Sequence, residues 1–310
     1  MLSFYKTVDN RIQQISQAEE GCWISAISPT EEEVAYLVND LGADQEFVRA
    51  ALDEEETSRI EKEEDQTLVI VDYPTQQKET DNNTILYSTM PMGIIIMEKM
   101  VITVCLKENP VISEMANGMV KNVQPHLKTR FLFTCLLRIA VRYLQYLKQI
   151  DKISHYVEQQ LHKSMRNKEL IQLLGLEKSL VFFSTSLKAN EMTLEKVMRG
   201  RIIKLYDEDE DILEDVLIEV RQAIEMCNIY SNILSGTMDA FASIISNNLN
   251  IVMKVLSCIT IVMAVPTIVS SFYGMNVPNI PIPNFWFPIG ITIILMAIVA
   301  IIFIKKDMFH

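Results

Sequence analysis

The sequence predicts an α+β protein with an N-terminal cytoplasmic α/β domain, a long helical stalk and two C-terminal transmembrane helices. Three observations favour this architecture: short β-branched runs before residue 110, helical periodicity from about residue 111, and two long apolar runs beyond residue 250. The chain has 310 residues, and 49% of them are hydrophobic. This is enough for a soluble domain with its own core plus a membrane part.

Residues 1–110 are assigned to the α/β domain because strand and helix signals alternate there. The run CWISAI reads as a strand, and Ser28-Pro29-Thr30-Glu31 is typical of a capping box with Pro29 at the first helical position. The helix that it opens is predicted to extend to Leu41. Four further runs predict strands of a mixed or largely antiparallel sheet: TLVIVDYP, TILYSTM, MGIIIM and MVITVCL.

Residues 111–210 are predicted to form long helices, because strand signals stop and apolar residues recur at helical spacing. The charged piece Tyr206-Asp207-Glu208-Asp209-Glu210-Asp211 interrupts this pattern and is interpreted as a corner. Beyond it, residues 211–272 contain one glycine, Gly236, and one proline, Pro266. They are therefore predicted to form one helix that continues from the stalk into the first span.

Two apolar runs, 251–272 and 285–304, approach or exceed the roughly 20 residues that cross a bilayer as a helix. The alternative is a pair of buried core helices. It is disfavoured because Lys254 is the only charged residue in the two runs. Trp286, near the start of the second run, is typical of a membrane interface.

Positive residues predict the orientation of the spans, because basic flanks stay in the cytoplasm. Lys254 lies near the entry of the first span, and residues 305–310 form a basic tail after the second. Residues 273–284 are then an external loop. The N-terminal MLSFYKTVDN lacks the features of a signal peptide. We therefore expect a multi-pass protein of the inner (cytoplasmic) membrane, in contact with lipid and with both termini in the cytoplasm.

Charge and cysteine usage exclude several kinds of function. The net charge of −12 arises before residue 250, which disfavours nucleic acid and favours bound cations. Five scattered cysteines without CxxC spacing are interpreted as packing thiols. The sequence contains no GxxxxGK[ST] phosphate loop, so we expect no bound nucleotide. It also contains no evident set of nucleophile and base, so we do not expect an enzyme.

One face of the predicted stalk and first span carries small and polar residues at steps of three or four. Such a face can line a pore, or it can let transmembrane helices approach closely. Two spans cannot enclose a pore, so conduction requires a ring of copies, and three to six are geometrically possible. The face contains Asp239, Ser243, Ser246, Asn250, Met253, Ser257, Thr260, Ala264, Thr267 and Ser271.

The segment Tyr273-Gly274-Met275-Asn276, at the outer end of the first of two C-terminal spans, resembles the signature of the CorA magnesium-transporter family. The resemblance extends to the stalk run SNNLNIVMKVL, to the acidic corner LEDV and to the lysine-rich tail. It therefore spans essentially the whole chain. It implies a homopentameric funnel in which the first spans surround a central pore.

The resemblance implies a selectivity filter made of Tyr273, Gly274, Met275 and Asn276. A ring of Asn276 amides would hydrogen-bond a hydrated Mg²⁺, an ion that releases its waters reluctantly. Gly274 would permit a tight bend at the end of the span. Tyr273 and Met275 would hold the amides in place.

Further roles follow from the same resemblance. Asn250 resembles an inner polar ring, and Met253 with Leu256 resembles an apolar constriction that gates by dewetting. Asp239 resembles an acidic ring nearer the cytoplasm, and Asp215 matches a regulatory metal ligand. The alternatives for these residues are ordinary helix packing and a solvated surface. The carboxylate that would join Asp215 from a neighbouring subunit is sought among Asp53, Glu54, Glu55 and Glu56, or among residues 61–65.

The expected function is Mg²⁺ transport driven by the membrane potential and gated by intracellular divalent cation. One departure from the family pattern is that residues 277–284 contain no acidic residue. The first alternative is transport of Co²⁺, Ni²⁺ or Zn²⁺ by the same fold. The second is a membrane-anchored cytoplasmic sensor or scaffold without transport.

Overall fold

The computed structural model describes residues 1–9, 11–78, 85–164, 167–200, 202–275, 282 and 284–306. The chain divides into two compact units, Met1–Ser235 and Gly236–His310. The first unit contains a sheet with helices, and the second contains the C-terminal helices. The predicted α+β class is therefore confirmed.

The described part of the first unit forms one sheet of seven strands, in the order β2-β1-β3-β7-β6-β5-β4. All neighbouring strands run antiparallel except β3 and β7, which are parallel. The predicted mixed sheet is thus confirmed. The strands are β1 (Leu2–Val8), β2 (Arg11–Ile15), β3 (Trp23–Ile27), β4 (Arg59–Glu63), β5 (Gln66–Lys78), β6 (Ile85–Ile96) and β7 (Val101–Cys105).

The prediction of separate strands at TILYSTM and MGIIIM is wrong, because residues 85–90 and 92–96 of these runs belong to the single strand β6. Pro91 interrupts the sequence pattern but not the strand. It lies opposite Asp72 on β5 and one residue beyond Met92, where pairing with β7 ends. The backbone N–H and C=O of Asp72 instead bond to the Asn190 side chain at 2.9 and 2.8 Å. The missing N–H of Pro91 therefore removes no bond from the ladder.

The first helix, α1 (Glu31–Asn39), begins two residues later than the predicted first helical residue, Pro29, and ends before Leu41. Thr30, not Ser28, is the N-cap: its hydroxyl accepts from the Glu33 N–H at 3.3 Å, and Glu33 Oε2 accepts from the Thr30 N–H at 2.9 Å. Ser28 instead adopts a left-handed φ of 44°. Two reciprocal bonds at Thr30 and Glu33 thus fix the start of the helix.

Three further helices of the first unit agree with the predicted periodicity: α3 (Pro110–Ala116), α4 (Lys128–Ser164) and α5 (Asn167–Met198). A short helix, α2 (Gln45–Ala50), was not predicted. It packs with Phe47 and Val48 in a core that also contains Ile24, Leu68 and Ile102.

The predicted corner and long helix are confirmed. A 3-10 turn at Asp207–Asp209 leads directly into α6 (Glu210–Tyr273), a helix of 64 residues with Pro266 inside it. The last helix is α7 (Trp286–Lys305).

Three described helices are long and apolar enough to cross a membrane: α5, the segment Asp207–Tyr273, and α7. The sequence predicts only the last two regions as spans. In α5, one face is buried against the sheet, where the Ser179 hydroxyl accepts from the Tyr87 N–H at 3.0 Å. Ser186 donates to Thr89 at 2.8 Å on the same face. This packing accounts for part of the hydropathy of α5, whose Leu174, Val181 and Met192 are exposed.

Candidate functional site

The part of α6 in the second unit has two faces that differ in exposure. One face is buried or half-buried and consists of Ile251, Val255, Cys258, Val262, Val265, Val269 and Tyr273. The predicted polar face lies about 150° around the helix from it, at about 3.6 residues per turn. The residues predicted to line or gate the path are all exposed in the single chain: Asp239, Ser246, Asn250, Met253, Leu256, Thr260, Ala264, Thr267 and Ser271.

Hydroxyl groups on the exposed face donate their hydrogens to the helix itself. Ser257 donates to the Met253 carbonyl at 2.8 Å, and Thr260 donates to the Leu256 carbonyl at 2.8 Å. A hydroxyl that donates its hydrogen to a backbone carbonyl can still accept hydrogen bonds through its oxygen lone pairs. The face can therefore accept hydrogen bonds from the waters of a hydrated cation, without carrying a charge.

Apolar side chains on or beside this face are as exposed as the polar ones. Met253 is 54% exposed and Leu256 is 55% exposed. Leu256 lies at the edge of the face, about 70° from its centre on an ideal helix. A ring of these side chains would narrow a path between copies of the helix.

Gly274 closes the end of α6. Its N–H donates to the Ser270 carbonyl at 2.9 Å, and a Cβ at this position would lie 3.2 Å from the same oxygen. Glycine therefore permits a close turn of the backbone immediately before Met275. Met275 is 52% exposed. Asn276, the predicted ring residue, lies outside the described residues.

Aromatic residues join the two helices of the second unit near the predicted filter. The Tyr273 ring at the end of α6 lies 6.4 Å from the Phe287 ring at the start of α7. Trp286 is 71% exposed, as expected for an interfacial aromatic residue. Sequence reasoning missed this contact and the buried face of α6. The spacing of three and four from Ile251 to Tyr273 was a signal that could have found that face.

The candidate regulatory carboxylates lie on the first unit. Asp215 is exposed on α6. Of its possible partners, Glu54 pairs with Lys107 at 3.1 Å, and Glu56 pairs with Arg59 at 2.5 Å. Asp53 Oδ1 accepts from the Glu55 N–H at 3.0 Å. Among the described residues, no group of three or more His, Cys, Asp or Glu side chains is placed to hold a metal ion.

Arg59 also binds Glu61, at 3.1 Å. Burial lowers the pKa of Arg59, but hydrogen bonds to Glu56 and Glu61 outweigh burial and raise the pKa above its ordinary value. These two carboxylates therefore already have a cationic partner within the chain, which makes them weaker candidates for a shared metal. The sequence could not show this pairing, because the strand β4 was not predicted.

An α/β domain, a long helix with an apolar segment, and a second apolar helix define the class of a membrane protein. The apolar segment of the long helix presents an uncharged polar face. Comparison with known families identifies that class more closely. The profile of the family described as "CorA-like Mg2+ transporter protein" matches residues 18–306. The chain belongs to this family.

Individual relatives agree with this assignment. The chain is 26% identical, over 290 residues, to the "Cobalt/magnesium transport protein CorA" of Methanocaldococcus jannaschii; the match covers 91% of this chain and 89% of that protein. It is similar to the complete structure of the CorA magnesium transporter from the same organism, with a TM-score of 0.81, 24% identity, and coverage of 99% and 96% of the two chains. It is also similar to full-length CmaX, with a TM-score of 0.70, 14% identity, and coverage of 99% and 97%.

Proposed function

We propose that the protein transports Mg²⁺ across the cytoplasmic membrane as a homopentamer, with the exposed face of α6 lining the path. The observation that carries this proposal is the opposition of two faces on one helix. Cys258 and Val269 are covered, whereas Thr260, Thr267 and Ser271 are exposed. A helix packed around an axis needs such an arrangement, and a simple membrane tether does not.

The proposed path recognises the ion through its water shell. Mg²⁺ is small and keeps several of its waters. Asn276 and Asn250 offer amide oxygens, and Ser257 and Thr260 offer hydroxyl oxygens, so the waters find acceptors along the path. Uncharged oxygens bind weakly enough for the ion to leave, as conduction requires.

The membrane potential supplies the driving force. Moving one charge through 100 mV is worth about 2.3 kcal/mol, so a divalent ion gains about 4.6 kcal/mol. This is more than a thousandfold in concentration. The external loop 273–284 lacks acidic residues, so the potential and the Asn276 ring replace electrostatic attraction at the outer mouth. No catalytic activity and no nucleotide enter this proposal.

The proposed topology follows the expected division of the chain. Residues 1–110 and 111–210 are cytoplasmic, 211–272 form the stalk and first span, 285–304 form the second span, and 305–310 return to the cytoplasm. Lys254, Lys305 and Lys306 supply the positive inner flanks.

Regulation is proposed to occur where divalent ions bridge Asp215 and a carboxylate of the neighbouring subunit. Glu54 and Glu56 are paired with basic residues. Asp53 and Glu55 have no ion pair within the described residues, which favours them as partners. A bridging ion would neutralise repulsion between carboxylates and lock the subunits together when internal Mg²⁺ is high.

Flux in liposomes tests the transport proposal. We expect purified protein to carry Mg²⁺ into potential-polarised liposomes, and Asn276→Ala and Asn250→Ala to reduce the flux by at least tenfold. Ile259→Ala is the matched control, because Ile259 is exposed on a different face of α6. It should retain wild-type flux. Unchanged flux in Asn276→Ala would contradict the proposed filter, and no flux from wild type would leave only the sensor or scaffold function.

Co²⁺ transport is the second candidate, because the relative from Methanocaldococcus jannaschii is named a cobalt/magnesium transport protein. The amide and hydroxyl oxygens of the path suit a hydrated hard ion, whereas the thioether of Met253 is a soft donor. The predicted filter, residues 273–276, contains no His or Cys, so coordination of a soft ion is disfavoured. Competition between Mg²⁺ and Co²⁺, Ni²⁺ or Zn²⁺ in the same liposomes ranks the ions.

A further inference from the structure

A cavity of about 650 Å³ lies in the first unit, at the N-terminus of α4 and beside the corner that leads into α6. Thr67 of β5 and Ile96 of β6 form its floor. Leu127, Thr129 and Arg130 line it from α4. A hydrogen bond joins α4 to the segment that precedes the corner: the Thr129 hydroxyl donates to the Lys204 carbonyl at 3.1 Å. Its volume suits a small organic ligand.

The charges around this cavity cancel. Its lining contains three cationic side chains and three carboxylates, together with His126: Lys128, Arg130, Lys204, Asp207, Glu208 and Asp209. A simple anion or a simple cation would therefore gain little from the lining as a whole. A ligand that carries both signs can meet both kinds of group.

Most of these charged groups are exposed or already engaged. Lys128 donates to the Glu98 carbonyl, and the Lys204 ammonium lies over the Tyr206 ring, 5.0 Å from its centre. Asp207 and Glu208 are exposed. Arg130 and Asp209 remain as the groups that are available inside the cavity.

Asp209 is only 6% exposed, and its carboxylate forms no hydrogen bond or ion pair within the described residues. Burial raises its pKa, and the positive charge of Arg130 partly opposes this. The Arg130 guanidinium is half-buried and likewise makes no hydrogen bond within the part of the chain described. The two opposite charges thus line one cavity without pairing. Because neither group has a direct hydrogen-bond partner, each can bind a ligand group of the opposite charge.

We propose that this cavity binds a small soluble zwitterion, with its anionic group at Arg130 and the first N–H groups of α4, and its ammonium group at Asp209. The helix N-terminus supplies unbonded N–H groups and a positive dipole end for the anion. Asp209 accepts the ammonium. Ile96, Leu127 and Ile203 contact the aliphatic part between the two charges.

Binding of phosphoethanolamine to the purified full-length protein tests this site, with inorganic phosphate and ethylammonium as single-charge controls. In calorimetric titrations we expect wild type to bind phosphoethanolamine about tenfold or more tightly than either control ion, because two charge-assisted contacts replace one. Asp209→Asn should abolish the preference over phosphate, and Arg130→Gln should abolish the preference over ethylammonium. Glu210→Gln is the matched control, because Glu210 is exposed and lies outside the cavity.

Several outcomes would overturn the proposal. If phosphate bound as tightly as phosphoethanolamine, the cavity would be a simple anion site. If ethylammonium bound as tightly as phosphoethanolamine, the cavity would be a simple cation site. Absence of binding, or unchanged binding in Arg130→Gln, would remove the site altogether. Loss of phosphoethanolamine binding in nanodiscs that contain phosphatidylethanolamine would assign it to a lipid headgroup rather than a soluble ligand. The measurement uses no transported ion, so its result is independent of the transport assay.

Discussion

The two compact units bury their side chains to very different extents. In Met1–Ser235, large residues such as Trp23, Tyr143 and Phe183 are less than 2% exposed. In the described part of Gly236–His310, the buried hydrophobic residues are Phe241, Cys258 and Val269, and α7 buries none. The first unit therefore forms an apolar core within one chain. The second leaves most of its large apolar side chains exposed in the single chain, as expected of a segment that contacts lipid or other copies.

The largest test of this difference separates the units. We expect residues 1–235, expressed alone, to fold in water with mixed helix and strand signals by circular dichroism and one cooperative thermal transition. Residues 236–310 should remain in solution only with detergent or lipid. A first unit without a cooperative transition would show that its core also depends on the membrane part.

A pair of phenylalanines compares the two units inside the intact protein. Phe183 is fully buried, and its ring lies 5.1 Å from that of Tyr143 and 6.2 Å from that of Tyr87. Phe183→Ala should cost about 3–5 kcal/mol of unfolding free energy. Phe272 is 67% exposed in the single chain, so Phe272→Ala should change stability by less than about 0.5 kcal/mol. Thermal unfolding in detergent measures both, and a large loss in Phe272→Ala would instead locate a contact between copies.

A pair of glycines gives a smaller contrast. A Cβ at Gly93 would lie 2.4 Å from the Ala51 Cβ, so Gly93→Ala should destabilise the first unit by about 1–3 kcal/mol. At Gly236, in α6, nothing lies within 4 Å of an added Cβ. Gly236→Ala should stabilise that helix by about 0.5–1 kcal/mol. Chemical denaturation checks both signs, and loss of stability in Gly236→Ala would indicate close packing of another chain there.

The smallest expected effect depends on pH and concerns Asp72 in the first unit. Burial raises the pKa of its carboxyl group, and a hydrogen bond with Ser186 offsets part of this. The folded protein therefore holds this proton to a higher pH than the unfolded chain does. Stability falls as pH rises from the ordinary aspartate value through the raised one. Asp72→Asn should remove this fall, so its stability relative to wild type should be greater at pH 7 than at pH 3. An identical pH profile for both proteins would contradict the buried, proton-retaining carboxyl.

Parts of the fold with strong periodic signals could be predicted from the sequence. The strands β3, β5 and β7 contain runs rich in apolar and β-branched residues, and α6 and α7 are long helices with apolar segments. The strand β4, with the sequence RIEKE, lies at the sheet edge and buries only Ile60. The charged sequence of β4 gives no apolar strand pattern, because an edge strand needs few apolar residues. The join across Pro91 could not be predicted, since it depends on Asn190, 99 residues away.

The candidate functional sites also contain features that the sequence could predict and features that it could not. Helical spacing was sufficient to bring Asn250, Thr260 and Ser271 to one face of α6. Spacing could not show which carboxylates were already paired, because the Arg59 contacts with Glu56 and Glu61 require the geometry of β4. Nor could it show the cavity beside Asp209, whose walls come from β5, β6, α4 and the corner after α5.

The one parallel pair in the sheet has a consequence for synthesis of the chain. β3 is complete at Ile27, but its partner β7 begins only at Val101. A ribosome that adds about 5–20 residues per second needs several seconds to make the intervening segment. During that time β3 presents an unpaired edge on the side that β7 later covers. The nascent chain is therefore most vulnerable to wrong strand pairing in this interval, and factors that shield it should bind before residue 105 emerges.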